Sequence, residues 1–188
     1  MNDPPDIEVL IDQFIKKVNL NIRVCEPTEE VDGNDAVRYN HACDYPENSD
    51  PGLVVEELRQ SLRGSIGGKK VLEIGPGPGY LCRELMNAGA ALVVGVDPSV
   101  EMIAHVNEKY KTEICQGRMN FVSASVYSLP LELNNGFDVV VCQNSLHQLF
   151  NPLSALTGMV NAAKGDGEVH VFDFRRDIGT ELLTRRIS

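Results

Sequence analysis

The chain has 188 residues, 43% hydrophobic and 23% charged, enough apolar material for one α/β domain with its own core and too little polarity for a disordered segment. Its formal charge of −10 repels phosphate backbones, and with no Trp and 6% aromatic residues there is little to stack on bases, so a nucleic-acid partner is not expected. The longest apolar runs, AALVVGV and VVVC, are strand-sized and fall far short of a bilayer span, so no membrane association is expected.

The cysteines at 25, 43, 82, 115 and 142 form no C-x-x-C pair, and their odd number leaves one over from any full pairing. This predicts a reducing compartment. Cys25, His41 and Cys43 lack a fourth ligand at a recognisable spacing, so no metal site is expected. The first ten residues, MNDPPDIEVL, are acidic and hold no apolar segment of leader type, which together with the thiols predicts a cytoplasmic protein.

In chain order, Ile7, Leu10, Ile11, Phe14, Ile15 and Val18 form the stripe of an amphipathic helix. Residues 25–50 are acidic and turn-rich and read as a long loop, in which Tyr39 and His41 are candidates for a lid. Residues 1–50 are therefore set apart from a domain over 51–188. Pro51 opens a second helix, with Val54, Val55, Leu58 and Leu62 on one face and Gly64 ending it. The rhythm then alternates. KVLEI is a strand, followed by a glycine loop and a helix from 79 to 88; ALVVGVD is a strand, followed by a helix with Ser99 as its cap. His105 falls on the solvent side of that helix. MNFVSA and FDVVVCQ are further strands, PLSALTGMVNAA a helix and GEVHVFDF a fifth strand. Strands apolar on both faces and alternating with helices predict an α/β fold: a doubly wound, mostly parallel, Rossmann-like sheet of about five strands with helices at its N-terminal side. Arg175, Arg176, Arg185 and Arg186 read as a solvated terminal helix.

The stretch VLEIGPGPGYL, residues 71–81, is the most informative. A strand, glycine-rich loop and helix in succession bring bare backbone to a ligand at the carboxyl end of a sheet. The spacing does not suit a dinucleotide, because Tyr80 stands where the third glycine would be, and no Gly-Lys-Ser/Thr run exists. Glu73, two residues before the loop, would repel a pyrophosphate and suits a cationic ligand. Asp97 ends the second strand eighteen residues beyond Gly79, where a carboxylate can accept two hydrogen bonds from a ribose diol. A ligand with a ribose, a positive charge and no phosphate is S-adenosylmethionine.

Four motifs in order, VLEIGPGPGYL, VVGVDPSVEMIAHV, FDVVVCQNSLHQLFNPLSAL and GEVHVFDF, resemble the class I S-adenosylmethionine-dependent methyltransferases, in particular their small-molecule branch, over residues 52 to 175. The resemblance implies that Glu73 attracts the ammonium of the cofactor and that Gly75, Gly77 and Gly79 let the backbone approach its centre. It further implies that Asp97 binds the ribose, with Pro98 and Ser99 beside the adenine. The place where the family often carries an adenine-binding aspartate holds Ser125 here, followed by Val126, whose backbone could serve. Gln143 and Asn144 would face the methyl-transfer site, and His147 is the candidate general base for an oxygen or nitrogen acceptor. The family's sheet normally has seven strands; after the fifth this sequence has room for one helix. That leaves a part of a longer chain, a naturally short gene, or an edge covered by another copy or a partner chain as explanations. The reading is an enzyme that methylates a small molecule. Its rival is a catalytically silent S-adenosylmethionine-binding module acting as sensor or partner subunit; a nicotinamide oxidoreductase is disfavoured by Tyr80.

Overall fold

The computed structural model describes residues 51–62 and 64–173. The expected helix over 7–18, the acidic loop with Tyr39 and His41, and the C-terminal arginines lie outside the described residues.

Helix α1 (Pro51–Ser61) begins at proline and buries Val54, Val55 and Leu58. Strand β1 (Lys70–Ile74) leads through the glycine loop into α2 (Tyr80–Asn87), and β2 (Leu92–Asp97) leads into α3 (Val100–Lys109). A short α4 (Lys111–Cys115), which the sequence pattern did not disclose, precedes β3 (Met119–Ser123). Two single-turn 3-10 helices, Val126–Ser128 and Leu131–Leu133, connect to β4 (Phe137–Gln143). A third, Leu146–Gln148, leads to α5 (Pro152–Ala162) and β5 (Ala163–Phe172).

The strands form one parallel sheet in the order β3-β2-β1-β4-β5. The direction of winding reverses between β1 and β4, which opens a crevice beyond their carboxyl ends. Each face carries its own core. Val71, Val93, Met119, Phe121, Val139 and Val141 pack under α1, α2 and α3, whereas Leu72, Ile74, Val94, Val96 and Val140 pack under α5 and the Val126 turn. Strand residues of alternating parity serve the two faces, which is why every central strand reads as continuously apolar. Full burial of each such Val or Leu contributes on the order of 2 kcal/mol.

Strand β5 starts four residues earlier than the sequence suggested, since GEVHVFDF begins at Gly167. The register explains the difference: Phe137 pairs with Ala163 but Val139 with Glu168, so Lys164–Gly167 bulge out of a ladder that begins before them. The far end is also shorter, because Asp173 leaves the strand to bond the β4 exit loop.

Candidate active site

The glycine loop is fixed link by link. The Gly75 N–H donates to the Val96 carbonyl at 2.9 Å, and its own carbonyl accepts from the Ser145 hydroxyl at 3.2 Å. The Gly79 N–H donates to the Pro76 carbonyl at 2.9 Å. The Pro78 carbonyl accepts from Lys109 Nζ at 3.2 Å and Tyr110 Oη at 3.3 Å. Pro76 and Pro78 have no N–H. The Gly77 peptide groups are therefore the ones in this loop without a hydrogen-bond partner among the described residues, and Gly77 lines the cleft. All three loop glycines have positive φ: 69° at Gly75, 50° at Gly77 and 77° at Gly79. A Cβ at Gly75 would sit 2.5 Å from Ser145 Oγ, so the space is taken as well as the conformation strained.

Glu73 does not reach the cleft wall. It is 2% exposed and sits in the core beneath α2, accepting a hydrogen bond from Cys82 Sγ at 2.9 Å. Loss of hydration pushes its pKa up to about 8, only partly offset by bonds from Cys82, and the same burial, with the carboxylate beside it, holds the Cys82 thiol well above its ordinary range. Glu73 is thus a protonatable group stored under the loop.

Asp97 and Pro98 line the cleft at the end of β2. Asp97 Oδ1 accepts from the Ser99 N–H at 2.9 Å, which orients the carboxylate. Ser99 is buried, and its hydroxyl caps α3 by accepting from the Met102 N–H at 3.2 Å. The sequence-predicted cap is present, and it occupies the side chain that the resemblance placed beside adenine. Across the cleft, Ala124, Ser125, Val126 and Tyr127 form the wall. Ser125 Oγ accepts from the Tyr127 N–H at 3.3 Å. Gly158 on α5 lets the helix press directly against the Val126 carbonyl, which fixes that wall from behind.

The β4 exit loop closes the third side with Ser145, Gln148 and Leu149. Asn144 is half-buried at φ 51°, its N–H donating to the Phe172 carbonyl at 2.7 Å. The Gln143 carbonyl accepts from the Ser145 hydroxyl at 3.0 Å. His147 stands exposed at the rim. Its backbone N–H donates to Asp173 Oδ2 at 2.9 Å, and its Nδ1 lies 2.7 Å from Asp173 Oδ1. One carboxylate thereby holds both main chain and ring. Cys142, beneath this loop, has its thiol pushed up to about 12 by burial, with Asp173 and Glu73 adding to the effect.

The fold brings together Gly75, Gly77, Asp97, Pro98, Ser125 and Val126 around one cleft. Gly79, Glu73 and Ser99 support it from behind; Asn144 and His147 lie on the loop at its edge. Sequence reasoning missed Ser145, Tyr110 and Asp173. The signal for Asp173 was present in the FDF ending of the expected fifth strand, but its pairing with His147 depends on the β4–β5 neighbourhood.

The arrangement fits a compact ligand with a sugar diol and a cationic centre: a carboxylate at one strand end, an unpartnered backbone donor and acceptor beside it, and no lysine or arginine among the cleft-lining residues for a phosphate. Residues 72–171, more than half of the chain, match the family model of the methyltransferase domain. A tRNA U34 carboxymethyltransferase from Dichelobacter nodosus is 34% identical over 105 residues, 56% of this chain and 32% of that one. The mitochondrial ubiquinone biosynthesis O-methyltransferase of Schizosaccharomyces pombe is 31% identical over 124 residues, 65% of this chain and 44% of that one. The chain thus spans between about a third and a half of the length of these relatives. A SAM-dependent methyltransferase from Aquifex aeolicus, 24% identical, superposes with a TM-score of 0.63 over 77% of each chain and shares the fold. Among the described residues, no helix is long and apolar enough to cross a membrane. With the strand order, the glycine loop and the family match in agreement, the chain belongs to the methyltransferase-domain family, the class I methyltransferases whose cofactor is S-adenosylmethionine.

Proposed function

We propose that the protein transfers a methyl group from S-adenosylmethionine to an oxygen or nitrogen of a small-molecule acceptor. The observation that carries the cofactor half is the Gly77 peptide, whose N–H and C=O have no partner among the described residues while every neighbouring polar group of the loop is satisfied. Gly77 would meet the amino-acid end of the cofactor, Asp97 the ribose, and Ser125 with the Val126 backbone the adenine. When bound, S-adenosylmethionine supplies a methyl group already activated by a positive sulfur.

The chain's own residues have two tasks. One is alignment, for which the pinned loop and the Asp97 carboxylate are preorganised. The other is removal of the acceptor's proton. The Asp173 carboxylate on Nδ1 favours the tautomer in which Nδ1 carries hydrogen, so His147 would accept the acceptor proton at Nε2 while Asp173 holds the ring in place. The charge of −10 supports a small acceptor over a polyanionic one. The names of the two relatives point to a tRNA position and to ubiquinone biosynthesis, so the acceptor assays include both a tRNA pool and hydroxylated aromatics.

Calorimetric titration with S-adenosylmethionine and S-adenosylhomocysteine, with Asp97→Ala as control, tests the cofactor half. Release of S-adenosylhomocysteine only with small acceptors supports the whole reading; release only with tRNA sinks the acceptor class. The second reading, a silent cofactor-binding module, is favoured by Ser125, an uncharged group already engaged by the Tyr127 N–H. Binding without turnover on any acceptor would select it.

A further inference from the structure

We infer that Lys109 and Tyr110, at the end of α3 on the face of the sheet opposite the α5 side, are positioning residues that set the direction of the Gly77 carbonyl by holding Pro78 from outside the cleft. This rests on the cofactor reading above and concerns two residues that are not among those lining the cleft.

Both side chains donate to one acceptor, the Pro78 carbonyl, at 3.2 and 3.3 Å. With two lone pairs on that oxygen, two donors saturate it. They differ in kind: Tyr110 is 4% exposed and its ring stacks on Phe121 with centroids 5.8 Å apart, while Lys109 lies over the Tyr80 ring at 4.0 Å. Tyr110 is thus a rigid post anchored in the core, and Lys109 a charged strut laid along the first residue of α2. Burial also keeps the Tyr110 hydroxyl far above its ordinary pKa range, so it remains a donor throughout. Gly79 completes the fit, because a Cβ there would lie 2.6 Å from the Tyr110 ring.

The consequence for the cleft follows from peptide geometry. The Gly77 carbonyl belongs to the planar peptide that ends at the Pro78 nitrogen. Proline fixes its own φ, so with the Pro78 carbonyl anchored only the single Pro78 ψ torsion separates that plane from the anchor. Gly77 itself has no side chain and no hydrogen bond among the described residues to hold it. The clamp supplies, from behind, the restraint that Gly77 lacks, and lowers the ordering entropy that a ligand would otherwise meet.

The test uses the full chain with Tyr110→Phe, Lys109→Met and the double variant. Two quantities are measured: the S-adenosylhomocysteine dissociation constant by calorimetry, and amide hydrogen exchange of the ligand-free protein at Gly79 and Tyr80. Each single change is expected to weaken binding roughly threefold to tenfold, as for one lost hydrogen bond, and to speed exchange at Gly79. Lys109→Arg, which keeps a donor, is expected within about threefold of wild type. Affinity of the double variant within twofold of wild type overturns the inference, as does weakened binding with unchanged exchange at Gly79. If the wild-type chain binds neither cofactor form, the cofactor reading fails by itself. The exchange measurement then still decides the clamp: acceleration confined to residues 75–80 sustains it and unchanged exchange removes it.

Discussion

The two loops that frame the cleft differ in how much of their shape the backbone itself supplies. Between β1 and α2 the chain is shaped first by its own backbone, with three glycines at positive φ, two prolines, and main-chain bonds from Gly75 to Val96, from Gly79 to Pro76 and from Arg83 to Gly79, and then held from outside by Lys109, Tyr110 and Ser145. Between β4 and α5 the shape comes largely from side chains. The Ser145 hydroxyl reaches Gly75 and Gln143, and the Asp173 carboxylate takes both the main chain and the ring of His147. The first loop can hold only what fits a bare backbone. The second depends on a few side chains, of which Ser145 also bonds the first loop. Defects in the first should therefore appear in binding, and defects in the second in turnover.

The sharpest way to break that division is at His147 on the second loop, the proposed general base. His147→Ala should lower kcat by about a hundredfold to a thousandfold while the cofactor dissociation constant stays within twofold, as single-turnover kinetics alongside calorimetry would show. A large change in cofactor affinity would contradict it. Asp173→Asn should cost less, roughly ten- to a hundredfold in kcat, because the ring and the loop main chain lose the carboxylate that holds them both.

In the first loop, Gly77→Val should weaken cofactor binding by roughly a hundredfold, equivalent to about 3 kcal/mol, through a branched side chain forced into φ near 50° beside the ligand. Retained affinity would mean that the ligand does not use this peptide. Asp97→Ala should cost roughly tenfold, the worth of a charge-assisted hydrogen bond, with kcat at saturation nearly unchanged.

A separate effect concerns stability without ligand. Glu73 is neutral in the fold up to about pH 8 and ionised at ordinary carboxylate values when unfolded. Between those limits the folded state holds the extra proton, so raising the pH favours unfolding. This contribution to stability is complete below the unfolded pKa and fades up to about pH 8. Denaturant midpoints across pH 5 to 9 should fall more steeply for wild type than for Glu73→Gln. Equal slopes would show that Glu73 ionises without hindrance.

The β1 side of the cleft was legible in the sequence because its determinants are local. Glycines, prolines and the strand end at Asp97 lie within one strand–loop–helix–strand stretch, and the Ser99 cap needs only three residues of context. The bulge at Lys164–Gly167 and the pairing of His147 with Asp173, 26 residues apart, are properties of strands β4 and β5 lying side by side. Periodicity carries no information about them. Glu73 shows the limit differently: its place before the loop was readable, but its burial against Cys82 is decided by the packing of α2 across the sheet.

The opposite end of the sheet has a part in this too. There Asp138 on β4 accepts from the Lys70 N–H at 2.7 Å and pairs with Lys164, whose hydrogen bond draws its carboxyl below the usual range. With Ser145 joining β4 to the glycine loop at the other end, β1 and β4 are riveted at both extremities. Bonds at both ends thus add to the ladder between them. The separation between the glycine loop and the β4 exit loop is then a length set by the sheet, not by either loop alone.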